Sequence, residues 1–133
     1  MNFSYLNEDM NFLRLVSEWK KYGKLVIAYD FDNTVYDYHK IGLKIEPIIA
    51  ILNEAKKIGA YFIVHTARLE DEYDFVRKYL IENNIPFDCI NENIEATGFN
   101  TKKPFYNILL DDRAGLRSAY EDLSRAIKLM KVN

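Results

Sequence analysis

The chain has 133 residues, of which 49% are hydrophobic and 29% are charged. This length and composition are typical of one globular domain, so we predict a single domain over residues 1–133 and exclude disordered and fibrous classes. The formal net charge of −2 excludes a general electrostatic footprint for nucleic acid, although a local basic rim would still allow such a partner. Cys89 is the only cysteine, which excludes an internal disulfide and a cysteine metal cluster.

The start of the chain does not have the basic residues and apolar run of a signal peptide. The longest apolar runs are also too short to span a membrane. We therefore expect a protein without membrane association, located in the cytoplasm.

The first half of the chain alternates helical and extended patterns. Apolar residues at helical spacing predict a helix over residues 4–22 that packs on the core and ends at Gly23. Residues 24–30 predict a strand, and because they are so uniformly apolar we expect both of its faces to be buried. After a polar and aromatic connection at 31–44, a second helix is expected up to Gly59, with Pro47 in its first turn.

The second half continues the alternation. We predict strands over residues 60–65, 86–90 and 106–110, a helix over 69–83, and a last helix over 116–130. Residues 91–105 are expected to form a loop. Strands that alternate with helices predict an α/β fold, a three-layer sandwich around a mostly parallel central sheet, as in Rossmann-like proteins.

Two carboxylates directly follow the first predicted strand. They are Asp30 and Asp32, with Thr34 after them. Side chains alternate along an extended chain, so residues 30 and 32 project to the same side. Two like charges about 4 Å apart cost about 4 kcal/mol at an effective dielectric near 20. Such a pair at the end of a core strand therefore indicates a compensating cation or proton, and a site for chemistry.

Two further strand ends carry polar groups. Residues 65–68 (His-Thr-Ala-Arg) follow the second strand, and residues 111–113 (Asp-Asp-Arg) follow the fourth, with two lysines at 102 and 103 ahead of it. In open parallel sheets, functional groups gather outside the carboxyl ends of the strands. We therefore expect the carboxylates of the first and fourth strand ends to converge. A divalent cation of the Mg²⁺ type, which is hard and prefers oxygen ligands, would neutralise them.

These stretches resemble the motifs of the haloacid dehalogenase (HAD) superfamily of phosphohydrolases. Residues 30–34 are similar to the family's DxDxT motif, and Thr66 to the Ser/Thr at the end of its second motif strand. Residues 111–112 are similar to its paired aspartates, with a lysine ahead of them. The motifs occur in the family's order, and they imply a Rossmann-like HAD core with an Mg²⁺-dependent phosphatase activity.

The resemblance also implies roles for individual residues. Asp30 is the expected nucleophile, which takes the phosphoryl group as an aspartyl phosphate, and Asp32 is the expected general acid and base. Thr66 would hydrogen-bond a phosphoryl oxygen, and either Lys103 or Lys102 would neutralise charge at the nucleophile. The expected metal ligands are Asp30, Asp111, Asp112 and the backbone carbonyl of Asp32.

Further candidates for substrate contact are Asn33, Thr34, Arg68 and Lys102. Asn33 stands where many HAD proteins have glycine, but asparagine also tolerates a left-handed backbone. Arg68 is suited to bidentate contact with a phosphate, and a salt bridge with Glu70 or Asp71 is an equal alternative.

The usual insertion points of the family hold no cap domain here, and residues 31–44 leave room for only a small flap. In this flap, Tyr36, Tyr38 and His39 either stack on a ring of the substrate or pack within the flap itself. A capless site suits a phosphate on a large substrate, or a small substrate closed over by a partner subunit, so a homodimer is one expectation.

The sequence thus predicts an Mg²⁺-dependent phosphohydrolase that cleaves a phosphomonoester. The expected partner is a phosphorylated small molecule or an exposed phosphate on a macromolecule, and the tyrosine-rich flap favours a nucleotide-like substrate. Two alternatives stay open: a receiver-like phosphoacceptor module, and a catalytically silent binding protein with the same fold.

Overall fold

A single parallel sheet forms the centre of the molecule in a computed structural model that describes residues 3–132. Its strands are β1 (Val26–Tyr29), β2 (Tyr61–Val64), β3 (Cys89–Ile90) and β4 (Ile108–Leu110). All neighbouring pairs are parallel, and the order across the sheet is β3-β2-β1-β4. Strand β1 therefore lies between β2 and β4, and the carboxyl ends of these three strands are neighbours.

Four helices flank the sheet. They are α1 (Met10–Tyr22), α2 (Glu46–Lys57), α3 (Tyr73–Glu82) and α4 (Leu116–Lys131), with short 3-10 turns at Glu70–Glu72 and Glu95–Thr97. The predicted fold class, an α/β sandwich around a parallel sheet, is confirmed. Within residues 3–132, no helix has the length and apolar character needed to cross a membrane.

Different parts of the chain cover the two faces of the sheet. Buried residues of all four helices pack in one core cluster, which includes Ile27 and Tyr29 of β1. The alternate residues Val26 and Ala28 belong to a second, smaller cluster on the opposite face. Apolar residues of the 91–107 connection between β3 and β4 complete this second cluster. The third layer of the sandwich is thus this connection.

The first helix begins later than predicted. Residues 4–9 form turns, and α1 starts at Met10. The side chains of Ser4 and Asn7 accept hydrogen bonds from the backbone N–H groups of Leu6 (3.1 Å) and Asp9 (2.9 Å). Such local bonds compete with a helix, which explains the error. As a result Leu6, an apolar residue within the predicted helix, is 97% exposed.

The other elements keep their predicted type with shorter bounds. Strand β3 covers two residues instead of the predicted 86–90, and β4 covers three instead of 106–110. The predicted helix at 69–83 is divided into the 3-10 turn at Glu70–Glu72 and α3. Pro47 lies in the first turn of α2, as expected.

Candidate functional site

An acidic cluster lies at the carboxyl ends of β1 and β4. It consists of Asp30, which follows β1, and of Asp111 and Asp112, which follow β4. One carboxylate oxygen of each lies within 4.8 Å of the others. The strands bring them together: the backbone N–H of Asp30 donates to the carbonyl of Leu110 (2.9 Å), extending the β1–β4 ladder to the site. Three of the four carboxylates that were expected to converge are thus brought together, whereas Asp32 is not part of the cluster.

The environment of Asp30 disfavours its charged form. Partial burial raises the pKa of Asp30 from 3.8 to about 7. A hydrogen bond with Asp112 and the charges of Asp111 and Asp112 act in the same direction. Within residues 3–132, no lysine or arginine forms an ion pair with any member of the cluster. The cluster therefore carries unbalanced negative charge whenever Asp30 is ionised.

These three carboxylates fit a hard divalent cation. The donor set is made of oxygen atoms, two of the three residues are partly buried, and the crowding of charge is the kind that a bound cation relieves. Mg²⁺ has these preferences, and Asp30, Asp111 and Asp112 would hold it. The predicted contribution of the Asp32 backbone carbonyl stays a prediction.

A compact turn follows Asp30 and fixes the direction of the next residues. The carbonyl of Phe31 accepts hydrogen bonds from the N–H groups of Val35 (3.1 Å) and Tyr36 (3.0 Å), and the N–H of Asn33 donates to the carbonyl of Tyr36 (2.7 Å). Asn33 has a φ of 62°, which is the left-handed conformation that we expected asparagine to tolerate here. Its predicted contact with substrate stays a prediction.

Thr34 ties this turn to the end of β4. Its side chain is 1% exposed, and its hydroxyl oxygen accepts a hydrogen bond from the backbone N–H of Asp112 (3.2 Å). The hydroxyl also lies 3.4 Å from a carboxylate oxygen of Asp112, to which it donates. In the structure Thr34 thus positions Asp112, a member of the acidic cluster. Its predicted contact with substrate stays a prediction.

The second carboxylate of the motif, Asp32, has a different partner. Arg68 donates from Nε and Nη2 to the two carboxylate oxygens of Asp32, at 3.0 and 2.9 Å, and from Nη1 to Glu72 at 3.0 Å. The salt bridges predicted with Glu70 or Asp71 were wrong: Glu72 lies four residues after Arg68, at a spacing that suits a helical turn. Asp32 thus faces the β2 end of the site, outside the acidic cluster.

Aromatic rings surround the Arg68 guanidinium. Its Cζ atom lies 5.2 Å from the Phe75 ring centroid, 5.3 Å from that of Phe31, 5.7 Å from that of Tyr36 and 6.0 Å from that of Tyr38. Tyr36 stacks on Phe31 with centroids 5.0 Å apart. Of the two alternatives for Tyr36, packing within the flap is therefore the observed one. These contacts and the carboxylates fix the position of Arg68.

Thr66 lies beside the site, after the end of β2. Its backbone N–H donates to the side chain of Asn91 (2.9 Å), which in turn donates to the carbonyl of Thr66 (2.8 Å) and to the hydroxyl of Tyr73 (2.8 Å). The Thr66 hydroxyl accepts from the N–H of Arg68 (3.1 Å) and keeps its own proton for another acceptor. Asn91 therefore fixes the loop that carries both Thr66 and Arg68.

The structure leaves the choice between the two lysines open. Lys102 and Lys103 are both exposed on the 91–107 connection. Within the described part of the chain, neither forms an ion pair. The predicted role of either in neutralising the nucleophile stays a prediction.

Sequence reasoning missed the residue that organises the flap. The carboxylate of Asp37 accepts hydrogen bonds from the backbone N–H groups of Ile41 (3.2 Å), Gly42 (2.8 Å) and Leu43 (3.1 Å). Gly42 has a φ of 80°, a left-handed conformation. An aspartate a few residues ahead of a glycine in a polar connection is the signal that could have indicated this turn.

Comparisons with known proteins bear on the fold. No protein-family model matches this chain, and no curated protein sequence matches it. A conserved protein from Bacteroides thetaiotaomicron has a similar solved structure, with a TM-score of 0.59 and 23% sequence identity. The match covers 82% of this chain and 91% of that chain. At this identity the likeness shows a shared fold.

Proposed function

We propose that this protein is an Mg²⁺-dependent phosphohydrolase that cleaves a phosphomonoester through an aspartyl phosphate on Asp30. One observation carries the proposal: Asp30, Asp111 and Asp112 place carboxylate oxygens within 4.8 Å of one another at the ends of two adjacent strands. The resemblance of the motifs at the strand ends to those of the HAD superfamily supports the same activity. The expected substrate is a phosphorylated small molecule or an exposed phosphate on a macromolecule.

The proposed reaction consists of two half-reactions, in which the residues of the site have different roles. In the first, a carboxylate oxygen of Asp30 attacks phosphorus, the ester P–O bond breaks, and the leaving oxygen takes a proton from Asp32. In the second, water attacks the aspartyl phosphate and gives a proton to Asp32, which frees phosphate and restores Asp30. Thr66 would donate its hydroxyl proton to a phosphoryl oxygen, and a lysine from 102–103 would neutralise charge. A bound Mg²⁺ supplies charge neutralisation at the phosphoryl oxygens.

Arg68 places a condition on this scheme. In the structure it donates to both carboxylate oxygens of Asp32. Asp32 exchanges protons with the leaving oxygen or with water either through the lone pairs that Arg68 leaves free or after Arg68 moves away from one oxygen. In the second case the guanidinium would be available to a phosphoryl oxygen, as predicted for Arg68.

The test is hydrolysis of an aryl phosphate by the purified protein, with Mg²⁺ and then with excess chelator. We expect turnover that depends on Mg²⁺, that returns when Mg²⁺ is restored, and that is lost in Asp30→Asn. Asp74→Asn is the matched control, because the side chain of Asp74 is 99% exposed on α3. Full activity of Asp30→Asn, or turnover insensitive to chelator, would contradict the proposal.

A specific observation favours a second candidate, the receiver-like phosphoacceptor module. The carboxylate that would promote dephosphorylation, Asp32, is held at both oxygens by Arg68. If Arg68 stays in place, an aspartyl phosphate on Asp30 would be long-lived. Incubation with acetyl phosphate and Mg²⁺, followed by intact-protein mass spectrometry over time, separates the two: a phosphoenzyme that lasts for hours favours the module, and rapid loss with release of phosphate favours the phosphohydrolase.

A further inference from the structure

We infer that the leaving group of the substrate carries a flat apolar ring, which binds against Tyr38 and Phe75 at the β2 side of the site. These two side chains are called the aromatic rim below. The inference rests on the proposed function, since it assigns the part of the substrate beyond the phosphoryl group. It predicts a preference among phosphomonoesters that the acidic cluster by itself would not create.

The geometry of phosphoryl transfer decides on which side the leaving group lies. The attacking and leaving oxygens are roughly in line across phosphorus. Asp30 attacks from the acidic cluster, which lies toward β4, and Asp32 faces the β2 side, where Arg68 holds it at 2.9 and 3.0 Å. The leaving oxygen therefore lies toward Asp32, and the group attached to it continues toward Arg68.

The aromatic rim is the exposed surface next to Arg68. The ring centroids of Phe75 and Tyr38 lie 5.2 and 6.0 Å from the Arg68 Cζ atom. Phe75 is 45% exposed and Tyr38 is 54% exposed, whereas Phe31, on the same guanidinium, is fully buried. Exposed aromatic side chains beside a charged site are typical of binding surfaces for ligands with a flat apolar part.

One side chain of the aromatic rim, that of Phe75, is also held in place before any ligand binds. Phe75 packs edge-on against Phe31 and Tyr36, with ring centroids 6.2 and 5.6 Å apart. Arg68, which lies beside both rings of the aromatic rim, forms salt bridges with Asp32 and Glu72. Binding a ring to a side chain that is already ordered costs less conformational entropy.

The charges at this side of the site disfavour a second phosphate as the occupant. Arg68 contacts both rings of the aromatic rim, and its donors are already directed to the carboxylates of Asp32 and Glu72. Lys40, whose Nζ lies 5.7 Å from the Tyr36 ring centroid, is one further cation on the flap. A polyanion such as a nucleic acid gains its affinity from several free lysines and arginines. A single ring needs only the apolar surface that the aromatic rim offers.

The experiment compares two substrates with the same leaving alcohol. Adenosine 5′-monophosphate and ribose 5-phosphate both release a primary ribose hydroxyl, and they differ in the attached ring. We expect kcat/KM with Mg²⁺ to be about five- to a hundredfold higher for the nucleotide, which is the range for stacking one base on an aromatic side chain. Because stacking is present in both the bound and transition states, the difference should be in KM.

Two variants locate the effect. Tyr38→Ala and Phe75→Ser should each lower the kcat/KM ratio of the nucleotide to ribose 5-phosphate, and together bring it close to one. Ile81→Ser is the matched control, because Ile81 is 66% exposed on the same helix as Phe75 and lies outside the aromatic rim. If Phe75→Ser loses its fold by circular dichroism, Tyr38→Ala still decides, since Tyr38 is 54% exposed and lies outside the buried core.

Phenyl phosphate forms a third arm, with the ring directly on the ester oxygen. If the variants impair the nucleotide, the ring lies beyond a sugar; if they impair only phenyl phosphate, the ring lies on the ester oxygen, and both results support the inference. Equal kcat/KM for the nucleotide and ribose 5-phosphate, with all three substrates unaffected by the variants, would overturn it while the phosphohydrolase stands. Absence of Mg²⁺-dependent turnover with every substrate would overturn both.

Discussion

Asp30 and Asp32 are separated by one residue, yet they lie in opposite electrostatic surroundings. Asp30 faces two other carboxylates, and its pKa is raised to about 7. Asp32 faces a guanidinium that donates to both of its oxygens. The surroundings of Asp30 therefore favour a bound cation or a proton, whereas Asp32 already has a cation from the chain.

The position of β1 explains the difference. This strand lies between β4 and β2, so its end has two different neighbours. Asp30 meets the end of β4, which supplies Asp111 and Asp112, and Asp32 meets the end of β2, which supplies Arg68. The spacing of Asp30 and Asp32 in the sequence predicts that they project to the same side. The neighbouring strands determine which charged groups each of them contacts.

The largest expected contrast is in catalysis. Asp30→Asn should lower kcat/KM by more than about 10⁴-fold, because it removes the nucleophile. Asp32→Asn should lower it by about 10²–10⁴-fold and still allow a phosphoenzyme to form, because it removes proton transfer only. Intact-protein mass spectrometry after acetyl phosphate treatment, beside steady-state rates, measures both. A phosphoenzyme on Asp30→Asn would contradict the assigned difference between the two residues.

The next contrast is in stability at the compensated carboxylate. Arg68→Met should lower the free energy of unfolding by about 2–3 kcal/mol, because it leaves the partly buried Asp32 without its charged donors. Arg117→Met is the control: Arg117 pairs with Glu121, but its side chain is 91% exposed, so the loss should stay within about 0.5 kcal/mol. Urea unfolding of the three proteins measures this, and equal losses would show that the Asp32–Arg68 pair adds nothing special.

A smaller effect is expected behind the acidic cluster. Thr34→Val should lower the free energy of unfolding by about 1–2 kcal/mol, because the N–H of Asp112 loses the oxygen that accepts its hydrogen bond at 3.2 Å. Mg²⁺ binding, measured by calorimetry, should weaken as Asp112 loses its positioning. Thr34→Ser keeps the hydroxyl and should retain Mg²⁺ affinity, so an equal loss of Mg²⁺ affinity in both variants would contradict the positioning role of the hydroxyl.

The smallest effect concerns pH in the presence of chelator. Because the folded protein raises the pKa of Asp30 from 3.8 to about 7, the folded state binds the proton more tightly than the unfolded chain does. The contribution of Asp30 to stability is therefore greatest below pH 4 and decreases as pH rises to about 7. Asp30→Asn removes this loss. The free energy of unfolding of the variant, relative to that of the wild type, should therefore rise by about 1 kcal/mol from pH 5 to pH 8, after allowance for solvent screening at a half-buried group.

Urea unfolding of wild type and Asp30→Asn at the two pH values measures the effect. The other titrating groups are common to both proteins, so the comparison isolates Asp30. A gain that is the same at pH 5 and pH 8 would show that the neighbouring carboxylates do not oppose its ionisation. Added Mg²⁺ at pH 8 should reverse the order by stabilising the wild type alone.

The acidic cluster was predictable because its carboxylates directly follow apolar strands in the sequence, and a parallel sheet brings the carboxyl ends of its strands to one edge. The carboxylates that pair with Arg68 were not predictable, because the choice among Asp32, Glu70, Asp71 and Glu72 depends on the path of the loop. The start of α1 was missed for a similar reason: apolar spacing ran through residues whose side chains bond the backbone of their own turn. The covering of the second face of the sheet by the 91–107 connection was not predictable either, because composition does not reveal the path of a long connection.

The pairing of β1 with β4 has a consequence for how the molecule folds. Ile27 lies opposite Ile108, so this pairing joins the first and the last strand of the sheet in chain order, β1 and β4. Contacts of such sequence separation are slow to form, because the intervening chain must first be closed into a loop. The proposed cation site is complete only once this pairing exists. Mg²⁺ should therefore act on the kinetics of unfolding, slowing it, and leave the refolding rate nearly unchanged.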